Sequence, residues 1–125
     1  MKVWLYYRLS RDEDEELNSL NNQRKIIYNF AVSNGHEVVG ESFDDNVSGM
    51  HFNREGIDKI YEVVGAGKIE AIIVKDLSRL GRNYIEVGRL MEEFFPEHDI
   101  RLVAVSDNID TAEGDNELAP IRNLF

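Results

Sequence analysis

The chain of 125 residues predicts an α/β fold in which a mostly parallel central sheet is flanked by helices. Three observations predict it. Short runs of β-branched and aromatic residues, at 3–7, 71–74 and 101–105, are separated by segments whose apolar residues recur at helical spacing. Ala71-Ile72-Ile73-Val74 shows no polar alternation, as expected of a strand covered on both faces. Strand and helix also alternate along the chain, and parallel neighbours need helical crossovers.

Val3-Trp4-Leu5-Tyr6-Tyr7 reads as the first strand, and the sequence turns polar at Arg8, where a loop is expected. Residues 11–16 are a charge run that reads as a solvated surface. Ser19 suits the cap of a helix carrying Leu20, Ile27, Phe30 and Ala31 and closed by Gly35, which puts Gln23 and Arg24 in its first turns. Val38 and Val39 mark a second strand over 36–43, followed by a turn-rich loop from Asp44 that is expected to be mobile. Ile57, Ile60, Tyr61 and Val64 define a helix from about Arg54. Val87, Leu90, Met91, Phe94 and Phe95 define another, which Pro96 should stop. Residues 106–117 read as a polar loop, and 117–125 as the start of a long helix that is cut short. One domain over 1–125, with its α/β core in about 1–112, is the expectation.

Composition narrows the chemistry. Hydrophobic residues make up 42% and charged residues 30%, which suits a folded globular chain. Without cysteine there is no thiolate metal site, disulfide or cysteine nucleophile, and a reducing, cytoplasmic setting fits. No apolar run approaches the roughly 20 residues of a membrane span. His36, His51 and His98 lie in no motif, so neither a Ser-His-Asp triad nor a histidine-carboxylate metal site is supported, and no metal or cofactor is expected. The net charge of −10 repels polyanions overall but leaves room for a local anion site, because salt screens charges beyond roughly 8 Å.

Two strand ends carry such a site. Ser10 follows the first strand with Arg8 two residues before it, and Arg79 and Arg82 follow the third around Gly81. In parallel sheets, residues distant in sequence meet beyond the carboxyl ends of strands. A serine hydroxyl becomes a competent nucleophile when its alkoxide and the charge it creates are stabilised, and the arginine fork donates paired hydrogen bonds to phosphate. If a helix begins near Leu77, Arg79 and Arg82, three apart, share a face. Arg54 follows a loop and can close over an anion, or simply be solvated. Gln23 is either a helix-face amide or a donor to phosphate. Taken singly, each residue reads as a turn, cap or surface group; the combination points to phosphate chemistry.

Tyr6-x-Arg8-x-Ser10, Ser19-Leu20-Asn21-Asn22-Gln23, Asn53-Arg54-Glu55-Gly56 and Asp76-Leu77-Ser78-Arg79-Leu80-Gly81-Arg82-Asn83, in that order, resemble the serine recombinase (resolvase/invertase) catalytic domain. The stretches around Asp76–Asn83 and Asp115–Phe125 are most similar to the large serine recombinases, including transposon integrases. The resemblance implies a site-specific DNA recombinase. Ser10 would attack a phosphodiester and hold the 5′ phosphate, Arg8, Arg54, Arg79 and Arg82 would grip the scissile phosphate, and Gln23 would support the site. Strand exchange and religation would follow. It further implies DNA as partner, recognised mainly by downstream domains, and self-association to a dimer and a synaptic tetramer. The isolated fragment would then be inactive. Small resolvases carry an acidic residue immediately before the first arginine of the late cluster. Ser78 stands there instead, with Asp76 two positions earlier. The competing reading is a noncatalytic α/β regulatory module that binds a phosphate or a protein partner through the same arginines.

Overall fold

Alternating apolar residues along the first strand have to be covered on two sides, and that requirement organises the fold. In the computed structural model, which describes residues 1–9, 19–45, 55–81 and 84–113, β1 (Lys2–Leu9) is followed by α1 (Leu20–Ser33), β2 (Glu37–Asp45) and α2 (Glu55–Gly65). β3 (Ala71–Val74) then leads through a 3₁₀ turn (Leu77–Leu80) to α3 (Tyr84–Arg89), a π turn (Leu90–Phe94) and α4 (Phe95–Glu97). The described part closes with β4 (Arg101–Ala104), β5 (Ile109–Asp110) and a 3₁₀ turn (Thr111–Glu113). The strand order is β2-β1-β3-β4-β5; β1 to β4 are parallel and β5 is antiparallel to β4. The expected mostly parallel α/β sheet is therefore present.

Each face of the sheet has its own core. Val3, Leu5, Tyr7, Ile73 and Val103 pack against Ile27 and Ala31 of α1. Trp4, Tyr6, Ile72, Val74 and Leu102 pack against Ile57 and Ile60 of α2 and against Val87, Leu90, Met91 and Phe95. The alternation along β1 thus places successive residues in different cores. At about 1.5–3 kcal/mol for each large side chain removed from water, these two layers supply the main drive for folding.

Three local expectations need correction. Pro96 does not stop its helix, which continues to Glu97. The π turn before it, with the Phe95 amide donating to the Leu90 carbonyl, widens the helix where a proline ring would otherwise meet the carbonyl four residues back. Residues 106–113 are not simply a loop. Ile109 and Asp110 form β5, held by a two-point pairing of the Asp110 carboxylate with Arg101, whose Nε lies 2.7 Å from Oδ1.

Asp44 likewise does not open a mobile loop; the remainder of that predicted loop, 46–53, lies outside the described residues. Asp44 belongs to β2 and is 1% exposed. Its carboxylate accepts from the Gly56 amide at 2.6 Å, the Ile57 amide at 3.0 Å and the Tyr6 hydroxyl at 2.7 Å. Two amides at the start of α2 that no helical carbonyl can satisfy are thereby paired with a charge the helix dipole favours.

The fit at this helix start is close. A Cβ added to Gly56 would lie 2.5 Å from the Phe43 carbonyl oxygen, a backbone atom that cannot step aside. Gly56→Ala should cost about 1–3 kcal/mol, the range for overpacking, read as a lower urea midpoint at unchanged slope. At Gly88 an added Cβ meets nothing within 4 Å, so Gly88→Ala should be neutral or stabilise by up to about 1 kcal/mol from helix propensity.

Candidate active site

β3 pairs with β1 only from Val3 to Leu5, so the last residues of β1 need another partner for their backbone. Gln23 supplies it. Ser19 caps α1 as expected, accepting from the Asn22 amide at 3.1 Å, and this puts Gln23 in the first turn, fully buried. Its Oε1 accepts from the Arg8 amide at 3.2 Å and its Nε2 donates to the Arg8 carbonyl at 2.8 Å. The carboxamide does for Arg8 what a neighbouring strand would do. With β2 paired to it through Arg8 and Leu9 on the other side, β1 runs to Leu9 rather than giving way to a loop at Arg8.

The third strand end reaches the same point. Past β3, the 3₁₀ turn is anchored by the Leu77 amide, which donates to Asp107 Oδ2 at 2.8 Å. The turn carries Arg79, 5% exposed. Arg79 Nη1 donates to the Arg8 carbonyl at 2.6 Å and Nε to Asp76 Oδ1 at 3.0 Å. Arg8, 6% exposed, reciprocates from Nη2 to the Ser78 carbonyl at 3.2 Å. The Ser78 hydroxyl also donates to Asp76 Oδ1. Two guanidiniums with little access to water are thus held by backbone carbonyls and one carboxylate, the pairing that buried charge requires.

The common face expected of Arg79 and Arg82 involves Arg82, which lies outside the described residues. The 3₁₀ turn ends at Leu80, and Gly81 has φ +156°, a backbone state essentially reserved for glycine. Gly81 is required here by its conformation.

Asp76 is the anion of the cluster. Burial pushes its carboxyl upward and is the largest single influence, but hydrogen bonds from Ser78 and Arg79, with the Arg79 charge, together hold it below the ordinary carboxylate value. Its pairing with Arg79 is a contact of the folded chain.

Ser10, Arg54 and Arg82 lie outside the described residues, so Arg8, Gln23 and Arg79 are the expected site residues whose positions are described, and these three converge. The three others are each bonded in sequence to a described residue at one edge of the sheet. Leu9 ends β1, Glu55 opens the helix whose first amides Asp44 binds, and Gly81 closes the turn after β3. Asp44 and Asp107 are the polar residues that sequence reasoning read only as turn formers. Spacing within either local motif carries no sign that Asp107 reaches 30 residues back to Leu77. Among the described residues no three metal-ligating side chains cluster, and no helix is long and apolar enough to cross a membrane.

A parallel α/β sheet with arginines gathered beyond its strand ends is a phosphate-handling architecture in general form. The family defined as "Resolvase, N terminal domain" matches residues 3–122. The chain therefore belongs to the resolvase family of serine recombinase catalytic domains. A resolvase/recombinase of Pseudomonas putida is 42% identical over 52 residues, covering 42% of this chain and 28% of that protein. The chain thus matches well under a third of that relative's length.

Among solved structures, a resolvase family site-specific recombinase from Streptococcus pneumoniae superposes with TM-score 0.83 at 28% identity, covering 99% of this chain and 85% of that one. The N-terminal catalytic domain of TP901-1 integrase shares the fold, with TM-score 0.80 at 21% identity and coverage of 99% and 95%.

Gln23→Ala should destabilise the domain by about 1–3 kcal/mol, since the Arg8 amide loses its buried partner; denaturant unfolding would measure it. For Asp76 the folded carboxyl titrates below its unfolded value, so its contribution to stability is present above the ordinary value of 3.8 and lost as pH falls through the lowered one. Wild type should therefore exceed Asp76→Asn in unfolding free energy at neutral pH, and the gap should close in acid. A gap that widens below that value would contradict this pairing.

Proposed function

We propose that this chain is the catalytic domain of a site-specific DNA recombinase in which Ser10 attacks a DNA phosphodiester and carries the 5′ phosphate as a phosphoserine. The observation that supports it most is the contact of Arg79 with the Arg8 carbonyl at 2.6 Å. It brings the late arginine turn against the strand end from which Ser10 follows. Ser10 follows Arg8 by two residues in the sequence.

In the proposed reaction the serine oxygen forms a bond to phosphorus while the bond to the 3′ oxygen breaks, releasing a 3′ hydroxyl. Arg8, Arg54, Arg79 and Arg82 oppose the charge growing on the nonbridging oxygens. The fixed cations would contribute chiefly because they need no reorganisation when that charge appears. Gln23 acts through the backbone of Arg8. Reversal of the attack by a 3′ hydroxyl from another strand restores DNA and frees Ser10.

The reading extends to a soluble cytoplasmic protein whose downstream regions recognise DNA, whose residues 117–125 open an assembly helix, and which acts as a dimer within a synaptic tetramer. An acidic catalytic domain is compatible with this division, because phosphate and groove contacts elsewhere supply affinity and register. On its own, the fragment of 125 residues is then inactive.

The full-length protein, incubated with a pool of random-sequence duplexes, should yield a denaturation-resistant adduct mapped to Ser10 by mass spectrometry. Ser10→Ala should abolish it while leaving noncovalent DNA binding intact. Adduct formation by Ser10→Ala at the normal rate would exclude Ser10 as nucleophile. Tight binding of a small phosphate compound with no cleavage of DNA would favour the noncatalytic module.

A further inference from the structure

We propose that Asp76 is the positioning residue that sets the plane of the Arg79 guanidinium, and that residue 78 is a second place from which a carboxylate can do the same. The inference rests on the reading of Ser10 and Arg79 as parts of a cleavage site, and it assigns roles to two residues that the reaction itself leaves unused.

A guanidinium held at one nitrogen can still swivel about its long side chain; held at two, its plane is set. Arg79 is held at Nε by Asp76 Oδ1, 3.0 Å away, and at Nη1 by the Arg8 carbonyl, 2.6 Å away. One support is a charged oxygen from the segment just before the turn, and the other is backbone from β1. The supports are unequal in kind. The carbonyl fixes where the head lies, whereas the carboxylate adds the charge that keeps a buried cation from drifting toward water.

Ser78 explains how that carboxylate is itself held. Its hydroxyl donates to the same Oδ1 that receives Arg79 Nε, so the oxygen is restrained from two directions. The same contact shows that the side chain of residue 78 already reaches the oxygen on which Arg79 rests. A carboxylate on residue 78 would then bring its own oxygens to that spot without moving the backbone of the turn. The serine hydroxyl is thereby committed to Asp76, which argues against Ser78 as a rival nucleophile, since a hydroxyl donating to a carboxylate held below its ordinary value has a poor base beside it.

The test exchanges the two side chains. The full-length protein and the variants Asp76→Ser, Ser78→Asp/Asp76→Ser and Asp76→Asn would be compared on a duplex chosen from a random pool by covalent capture on wild type. Rates of adduct formation and noncovalent affinity would be measured separately. In parallel, the Arg79 Nε–H signal would be followed by NMR in the 125-residue domain.

Asp76→Ser and Asp76→Asn should form adduct about a hundredfold more slowly, the scale of a misplaced catalytic group, with DNA affinity unchanged and faster solvent exchange of the Arg79 Nε–H. The exchanged variant should recover most of the rate and the slow exchange. If Asp76→Ser fails to fold, the exchanged variant alone decides, since it restores the carboxylate at the other position.

A wild-type rate in Asp76→Asn, slow adduct formation by a folded exchanged variant, or a rate loss with the Arg79 signal unmoved would each overturn the inference. Failure of wild type to capture any duplex would instead remove the cleavage reading on which it rests.

Discussion

The carbonyl oxygen of Arg8 is the point on which this molecule turns. It accepts from Gln23 Nε2 and from Arg79 Nη1, so both of its lone pairs are occupied by groups from two different elements. One comes from the first turn of α1 on one face of the sheet. The other comes from the turn that follows β3. A single backbone atom thereby ties β1 to two neighbouring elements just where the polar chemistry begins. Because the site is buried, loss of Gln23 would leave the Arg8 amide without its partner.

This arrangement also resolves the contrast between an acidic chain and a site for anions. Net charge acts over a distance and is screened by salt, whereas Arg8 and Arg79 are nearly shut off from solvent and act only at contact. Their charges are compensated locally, by Asp76 and by carbonyl dipoles, rather than by the surface at large. In the proposed reaction such a site is set before any phosphate arrives. The cost of bringing cations out of water is met during folding, and the packed sheet on either side supplies the stability that meets it.

Much of this was legible in the residues themselves. The parallel sheet followed from the apolar run at 71–74 and from helical spacing around Ile57, Ile60 and Val64, because burial on two faces leaves no polar alternation. The approach of Arg8 and Arg79 follows from their places at two strand ends, whereas the residues alone leave Gln23 open between a helix-face amide and a phosphate donor, and only the family resemblance puts it in support of the site. What escaped was set by tertiary contact. Asp44 has the composition of a turn, yet three donors from Tyr6, Gly56 and Ile57 draw it into the sheet. The 3₁₀ turn carrying Arg79 ends at Gly81, whose backbone angle no spacing of arginines announces. β5 is two residues long, too short to register as a pattern, and depends on Arg101 reaching Asp110 from the adjacent strand.

The hydrogen bond from the Leu77 amide to Asp107 has a mechanical meaning. Asp107 sits in the bend between β4 and β5, and β5 leads directly into Thr111–Glu113, so the stretch that carries the chain onward is clasped to the loop bearing Arg79. A tug on that stretch strong enough to lift the bend would strip Leu77 of its anchor and slacken the arginine behind it. Where the polypeptide goes next and how firmly that guanidinium is aimed are, in this architecture, a single adjustable quantity.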